Sequence, residues 1–106
     1  MFLNDWAESG VNGLMCDFCI GEEELVGVEI LFATYTYEDY SGFAYVLFQR
    51  DGKLYEVVAS HCSCYGLEEQ WEPEETTVEA VSRRADTAYE FEGGRAELRE
   101  LLKTLS

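Results

Sequence analysis

The stretch from Leu47 to Glu56 places the pair Asp51-Gly52 between two runs of alternating apolar residues. An Asp-Gly pair in that setting is typical of a two-residue β-hairpin turn. The turn sets the register, because Arg50 then pairs with Lys53. One face of the hairpin is predicted to be wholly apolar, and it consists of Ala44, Val46, Phe48, Tyr55, Val57 and Ala59. The other face is mixed, with Tyr45, Leu47, Gln49, Leu54, Glu56 and Val58.

A third strand is predicted upstream of the hairpin. Residues Val28 to Tyr37 are rich in β-branched and aromatic side chains. The segment Glu38-Asp39-Tyr40-Ser41-Gly42 has turn composition and leads this strand into the hairpin. Together these segments predict a three-stranded, or larger, antiparallel meander.

Two helices are predicted after the strands. Thr76-Thr77-Val78-Glu79 has the pattern of a capping box that opens a short helix through about Ala85. From Arg95 to Leu105, leucines recur at helical spacing. At the amino terminus, Asn4 to Glu8 are compatible with a helix start, and four glycines divide the following residues into turns: Gly10, Gly13, Gly21 and Gly27. The expected fold class is α+β, with the meander covered by one or two C-terminal helices.

Length and composition indicate one folded domain, residues 1–106. The chain is 47% hydrophobic and holds 15 aromatic residues, enough for one core and too few residues for two. No apolar run approaches the roughly 18 to 20 residues of a membrane span. Met1 to Asp5 lack the basic residues and apolar run of a signal peptide. We therefore expect a cytoplasmic protein that does not enter a membrane.

Charge is the strongest compositional signal. The chain has 22 acidic and 7 basic residues, a formal net charge of −15, and no Lys or Arg before Arg50. Such a surface repels phosphate and attracts basic surfaces, so a direct nucleic-acid ligand is not expected. Two interpretations stay open: acidity that serves solubility alone, and acidity that serves docking on a basic protein.

The four cysteines form two close pairs, Cys16 with Cys19 and Cys62 with Cys64, and the only histidine is His61. Two short-spaced pairs from separate loops can supply a tetrahedral zinc site. The first pair is placed by its neighbouring glycines in a turn, and the second just past the third strand. Buried reduced thiols and a redox pair are the alternatives. Catalysis by Cys62 with His61 is not expected, because neighbours on an extended chain point to opposite sides.

The segment from Cys64 to Glu75 is the predicted contact surface. It concentrates five glutamates around one tryptophan: Glu68, Glu69, Trp71, Glu72, Glu74 and Glu75. At this density the carboxylates repel one another, and a cationic partner would relieve the repulsion while Trp71 supplies an apolar anchor. The alternative is a core tryptophan in an acidic loop leading into the next helix. A second acidic run is expected to assist: Glu22, Glu23 and Glu24.

The block Ser60-His61-Cys62-Ser63-Cys64-Tyr65-Gly66-Leu67-Glu68, with Gln70 to Thr77 after it, resembles a set of small phage-encoded proteins of unassigned function. Tyr35 to Gly42 and Asp51 to Leu54 are similar too, so the resemblance covers roughly residues 30–80 and omits Cys16 and Cys19. It implies a viral origin. Small acidic phage proteins include inhibitors of host defence, among them anti-CRISPR proteins that occupy nucleic-acid-binding surfaces.

These observations favour a binding protein over an enzyme, since the chain has no Gly-rich phosphate loop, second histidine or nucleophile elbow. The leading hypothesis is a phage-type inhibitor, acting as a nucleic-acid mimic, that docks on a basic host nucleic-acid-binding protein. The second is a zinc-stabilised structural or interaction module.

Overall fold

The computed structural model of the protein describes residues 2–4, 6–38, 41–62, 70–87 and 95–105. In chain order the elements are strand β1 (Phe2–Asn4), helix α1 (Gly10–Phe18), a 3-10 helix (Glu22–Leu25), strands β2 (Glu29–Glu38), β3 (Ser41–Arg50), β4 (Lys53–Cys62) and β5 (Glu74–Thr76), and helices α2 (Val78–Thr87) and α3 (Arg95–Leu105). The strands form one sheet in sequence order, with β1 parallel to β2 and the other neighbours antiparallel. The predicted α+β fold, a meander with two C-terminal helices, is confirmed.

The predicted hairpin is present with the expected register. Arg50 pairs with Lys53, and Phe48 pairs with Tyr55. Asp51 and Gly52 both adopt a positive φ, 54° and 78°, which is what a two-residue turn between right-twisted strands requires. The hairpin therefore holds the cross-strand pairs on which the candidate site is built.

The first face of the sheet packs against α1. Its buried cluster contains the apolar face predicted for the hairpin, joined by Trp6 and by Leu14 and Phe18 of α1. Trp6, Leu14 and Phe18 are between 0% and 1% exposed. We call this side the α1 face.

The second face of the sheet is covered by α2 and α3. Its buried cluster joins strand residues to the apolar sides of the two helices: Phe32, Tyr45, Leu47, Val81, Ala85, Leu98 and Leu102. The leucine spacing in α3 thus predicted both the helix and its buried side. We call this side the α2–α3 face. Within the described residues, no helix is both long and apolar enough to cross a membrane.

The amino-terminal prediction is wrong. Asn4 ends strand β1, and the helix begins at Gly10 and includes Gly13. A Cβ atom at Gly13 would lie 2.0 Å from Ser9 Oγ and 3.2 Å from Trp6 Cδ1, so glycine there lets Ser9 and the indole approach the helix closely. Burial of Leu14 and Phe18 outweighs the low helix propensity of the two glycines.

The start of α2 also differs in detail from the prediction. Thr77 is the capping residue: its Oγ1 accepts a hydrogen bond from the Ala80 N–H at 3.1 Å, and its carbonyl accepts one from the Val81 N–H at 3.0 Å. Thr76 instead pairs with Leu54 as the last residue of β5. The cap therefore lies one residue later than the capping-box pattern indicated, because Thr76 is part of strand β5.

Candidate functional site

Trp71 lies on the α1 face as both a core contact and a partly exposed surface residue. Its ring stacks on Phe48 at a centroid distance of 5.9 Å with an interplanar angle of 14°. It meets Phe18 of α1 nearly edge-on at 5.1 Å. Phe48 is almost fully buried, whereas Trp71 is half-buried. Trp71 is therefore a core contact that keeps some exposed surface, and its role as an anchor for a partner stays a prediction.

A cavity of about 390 Å³ opens beside this tryptophan. Its apolar lining consists of Trp71, Phe48, Tyr55 and Pro73. Phe48 and Tyr55 are the cross-strand pair next to the hairpin turn, and their rings stack at 5.4 Å with an interplanar angle of 19°. Three charged residues complete the lining: Glu24, Asp51 and Arg50. The acidic run Glu22–Glu24 and the acidic segment that holds Trp71 and Pro73, far apart in sequence, thus meet at one cavity: the first contributes Glu24, and the second contributes Trp71 and Pro73.

Exposed carboxylates lie in the cavity lining and beside it in sequence, and we call this set the acidic rim. Glu24 and Asp51 belong to the lining. The other members lie close to lining residues in sequence: Glu22, Glu23, Glu72 and Glu75. The two basic residues of the hairpin end, Arg50 and Lys53, lie at the same edge, and Lys53 Nζ is 4.0 Å from Glu75 Oε1. Six negative charges against two positive ones leave this edge strongly acidic.

Glu74 lies apart from the acidic rim. Strand pairing sets Glu75 opposite Tyr55 and Glu74 opposite Glu56. Paired residues share a face of a sheet and successive residues alternate between faces. Glu75 therefore lies on the α1 face with the cavity, and Glu74 lies on the α2–α3 face. The other predicted contact residues, Glu68 and Glu69, lie outside the described residues.

Ion pairs concentrate on the opposite side of the molecule. Of the pairs formed between described residues, three involve α2 or α3: Arg84 with Glu56, Arg99 with Asp86, and Lys103 with Glu100. In the same part of the chain no Lys or Arg pairs with Glu22, Glu23, Glu24 or Glu72. The acidic rim is therefore largely uncompensated, while the helices carry most of the basic residues.

The predicted metal ligands are only partly described. Cys16 lies in the last turn of α1 and Cys19 is its C-cap residue, with a left-handed φ of 60°, so the predicted Gly-bounded turn is wrong. Both are exposed free thiols, which excludes the buried-thiol interpretation for this pair. The side chains of His61 and Cys62, and all of Cys64, lie outside the described residues. Among described residues, no group of three His, Cys, Asp or Glu side chains could hold a metal ion.

A polar triad of two buried residues and the partly exposed Arg84 links the sheet to α2. The Tyr45 hydroxyl donates a hydrogen bond to Glu56 Oε1 at 2.9 Å, and Arg84 Nη2 donates to Glu56 Oε2 at 3.1 Å. Tyr45 is fully buried and Glu56 is 9% exposed. Burial, followed by the negative charge and hydrogen bond of Glu56, raises the pKa of Tyr45 well above its usual range, with Arg84 opposing the shift. This triad is structural, because it lies under α2 and away from the cavity.

The raised pKa of Tyr45 predicts a loss of stability at alkaline pH. The unfolded chain releases the tyrosine proton near its ordinary pKa of about 10, whereas the folded chain keeps it. The protonated Tyr45 hydroxyl thus makes its full contribution to stability below pH 10. Above pH 10 the free energy of unfolding falls by up to about 1.4 kcal/mol per pH unit. Urea denaturation between pH 8 and pH 11 measures this slope. Tyr45→Phe is the control, and equal slopes for the two proteins would contradict the assignment.

Sequence reasoning missed most of the cavity lining. The Phe48 and Tyr55 pairing was predicted, but nothing in the sequence placed Trp71 or Glu24 against it. The Asp-Gly turn could have predicted one part of the lining, because it places Asp51 and Arg50 beside the Phe48 and Tyr55 pair. Searches of protein-family models, of curated proteins and of solved structures found no match to this chain.

Proposed function

We propose that this chain is a binding protein, and not an enzyme, whose acidic rim docks on a basic surface of another protein. The observation that carries the proposal is the meeting of two separate acidic segments at one cavity, with Glu24 and Trp71 both in its lining. Rim carboxylates without a cationic partner within the described chain attract a cationic surface and accelerate encounter.

Geometry supports docking over solubility alone as the reason for this acidity. Charges that serve only solubility can be spread over the whole surface. Here the helices balance much of their acidity with ion pairs, whereas Glu24 and Asp51 share a cavity with a half-buried tryptophan on the α1 face. An aromatic anchor inside a charged border is the usual composition of an interface centre and its periphery.

The finer proposal concerns the partner. Carboxylates gathered on the 3-10 helix, the hairpin turn and the segment leading into β5 resemble the charge of a nucleic-acid backbone, so a basic nucleic-acid-binding surface is the complementary partner. The resemblance of residues 30–80 to small phage proteins favours a bacterial host protein, inhibited by occupation of that surface in the cytoplasm, as anti-CRISPR proteins do. Direct binding to nucleic acid is not part of the proposal.

Capture from a bacterial lysate tests this function. The immobilised chain is incubated with nuclease-treated lysate and then eluted with rising salt or with added nucleic acid. We expect a basic nucleic-acid-binding protein that is released by both treatments, because both compete for the same charges. Bound proteins that resist salt and are not displaced by nucleic acid would contradict the proposal.

A zinc-stabilised module is the second candidate. The observation that favours it is the exposure of two free thiols at the end of α1, Cys16 in the last turn and Cys19 at the C-cap. With Cys62 and Cys64 they would supply four thiolates, the set that Zn²⁺ prefers in structural sites.

This candidate predicts one zinc ion per chain in protein purified without added metal. Cys16→Ser is expected to abolish stoichiometric zinc and to lower the melting temperature, because metal binding contributes to folding stability. Elemental analysis measures the first effect and thermal denaturation the second. Asn12→Ser, at an exposed position of the same helix, serves as the matched control. Protein that is folded and free of zinc removes this candidate.

A further inference from the structure

We propose that the cavity beside Trp71 takes an arginine side chain of the partner protein. This inference rests on the proposed function, and it assigns the chemistry at the centre of that interface. The cavity combines stacked aromatic rings with carboxylates at its border, and each of these groups attracts a planar cation.

The aromatic lining provides the apolar half of the site. Tyr55, Phe48 and Trp71 form a continuous stack, with both centroid distances between 5.4 and 5.9 Å and both interplanar angles below 20°. Tyr55 and Trp71 are half-buried and both line the cavity, whereas Phe48, the ring that stacks on each of them, is almost fully buried. Aromatic faces carry a negative quadrupole that attracts a cation placed over them.

The charged lining provides the polar half. Glu24 approaches from the 3-10 helix and Asp51 from the hairpin turn, so carboxylates reach the cavity from two directions. A guanidinium group is planar, stacks on aromatic rings and pairs with carboxylates through several N–H donors. A lysine ammonium is more strongly hydrated and loses more on entering such a site. The occupant expected here is therefore arginine.

Arg50 provides a guanidinium group of this chain at the same cavity, so the proposed chemistry can be tested by removing it. It is exposed, lines the same cavity and forms no ion pair with a described residue. Its guanidinium competes with an incoming arginine for the same carboxylates. Removing its charge is expected to strengthen binding of an external arginine more than removing an equal charge on α2.

Calorimetric titration with hexaarginine and hexalysine peptides at about 0.15 M salt tests the inference. We expect hexaarginine to bind about fivefold more tightly than hexalysine, and Trp71→Leu to reduce this ratio to about one. Glu24→Gln should weaken hexaarginine binding more than Glu97→Gln, which removes the same charge from α3. Arg50→Gln should strengthen it more than Arg83→Gln. The Glu24 and Arg50 variants keep the test decisive if Trp71→Leu does not fold.

The outcomes separate this inference from the function on which it rests. Equal affinity for the two peptides, with no selective effect of the cavity variants, overturns the arginine site and leaves the acidic rim as a general cation-binding surface. Failure of both peptides to bind contradicts the proposed function itself. Selective loss of hexaarginine affinity in Trp71→Leu and Glu24→Gln, together with a gain in Arg50→Gln, supports both the arginine site and the proposed function.

Discussion

Replacing Trp6 by alanine is expected to lower the free energy of unfolding by about 3–5 kcal/mol. Trp6 is 0% exposed and contacts Tyr35 of β2 and Phe18 of α1 at ring centroid distances of 5.3 and 5.9 Å. Its Nε1 also donates a hydrogen bond to Asp17 Oδ2 at 2.8 Å. Alanine removes these contacts and leaves a cavity between α1 and the sheet. Since small domains are stable by only about 5–15 kcal/mol, the variant should be close to unfolding.

Urea denaturation followed by circular dichroism measures the effect. Trp6→Phe keeps an aromatic ring and loses the hydrogen bond to Asp17, so its loss should fall between the wild type and Trp6→Ala. Val26→Ala is the surface control, because Val26 is 67% exposed, and its change should stay within about 0.5 kcal/mol. A loss below about 1 kcal/mol for Trp6→Ala would contradict the packing of α1 on the sheet.

Reversing Glu22, Glu23 and Glu24 to lysine is expected to slow association with the captured partner by about 10- to 100-fold. These residues form one exposed turn at the cavity, and no described cation pairs with them. Long-range attraction acts on the encounter step, so the association rate should change more than the dissociation rate. Surface plasmon resonance measures both rates.

The matched control reverses three glutamates of the α2–α3 face: Glu79, Glu97 and Glu100, all exposed. Both triple variants change the formal charge by six, from −15 to −9. If net charge alone governs association, the two variants slow it equally. The docking proposal requires a much larger effect at the rim, and thermal denaturation of both variants confirms that they are folded.

Local signals in the sequence were sufficient for the three central strands, β2 to β4, and for the last helix. The Asp51-Gly52 turn sets the hairpin register, and because strand side chains alternate, that register also decides which residues are buried. The leucine spacing of α3 similarly predicts both the helix and the side of it that is buried. Helix α1 could not be predicted in this way, since Gly10 and Gly13 disfavour a helix locally. Burial of Leu14 and Phe18, which depends on the rest of the fold, decides its structure.

The candidate site depends on contacts between segments far apart in sequence. Both acidic runs and Trp71 can be read directly from the sequence, but the meeting of Glu24 and Trp71 at the Phe48 and Tyr55 pair depends on the position of the 3-10 helix and on the packing of Trp71 against Phe48. Strand alternation then places Glu74 and Glu75 on opposite faces of the sheet. This difference could not be predicted from the sequence, because β5 was not expected to be a strand. The polar triad was hidden for a similar reason, because Glu56 becomes buried only when α2 covers it.

The ionic-strength dependence of the affinity between the chain and its captured partner tests docking through the acidic rim most directly. Calorimetry at about 0.05 M and about 0.3 M salt should show the dissociation constant rising at least about tenfold, because salt screens exposed charges. The variant with Glu22, Glu23 and Glu24 reversed to lysine should lose most of this dependence on salt. The variant with Glu79, Glu97 and Glu100 reversed should retain it. A dissociation constant that is the same at both salt concentrations would contradict the account.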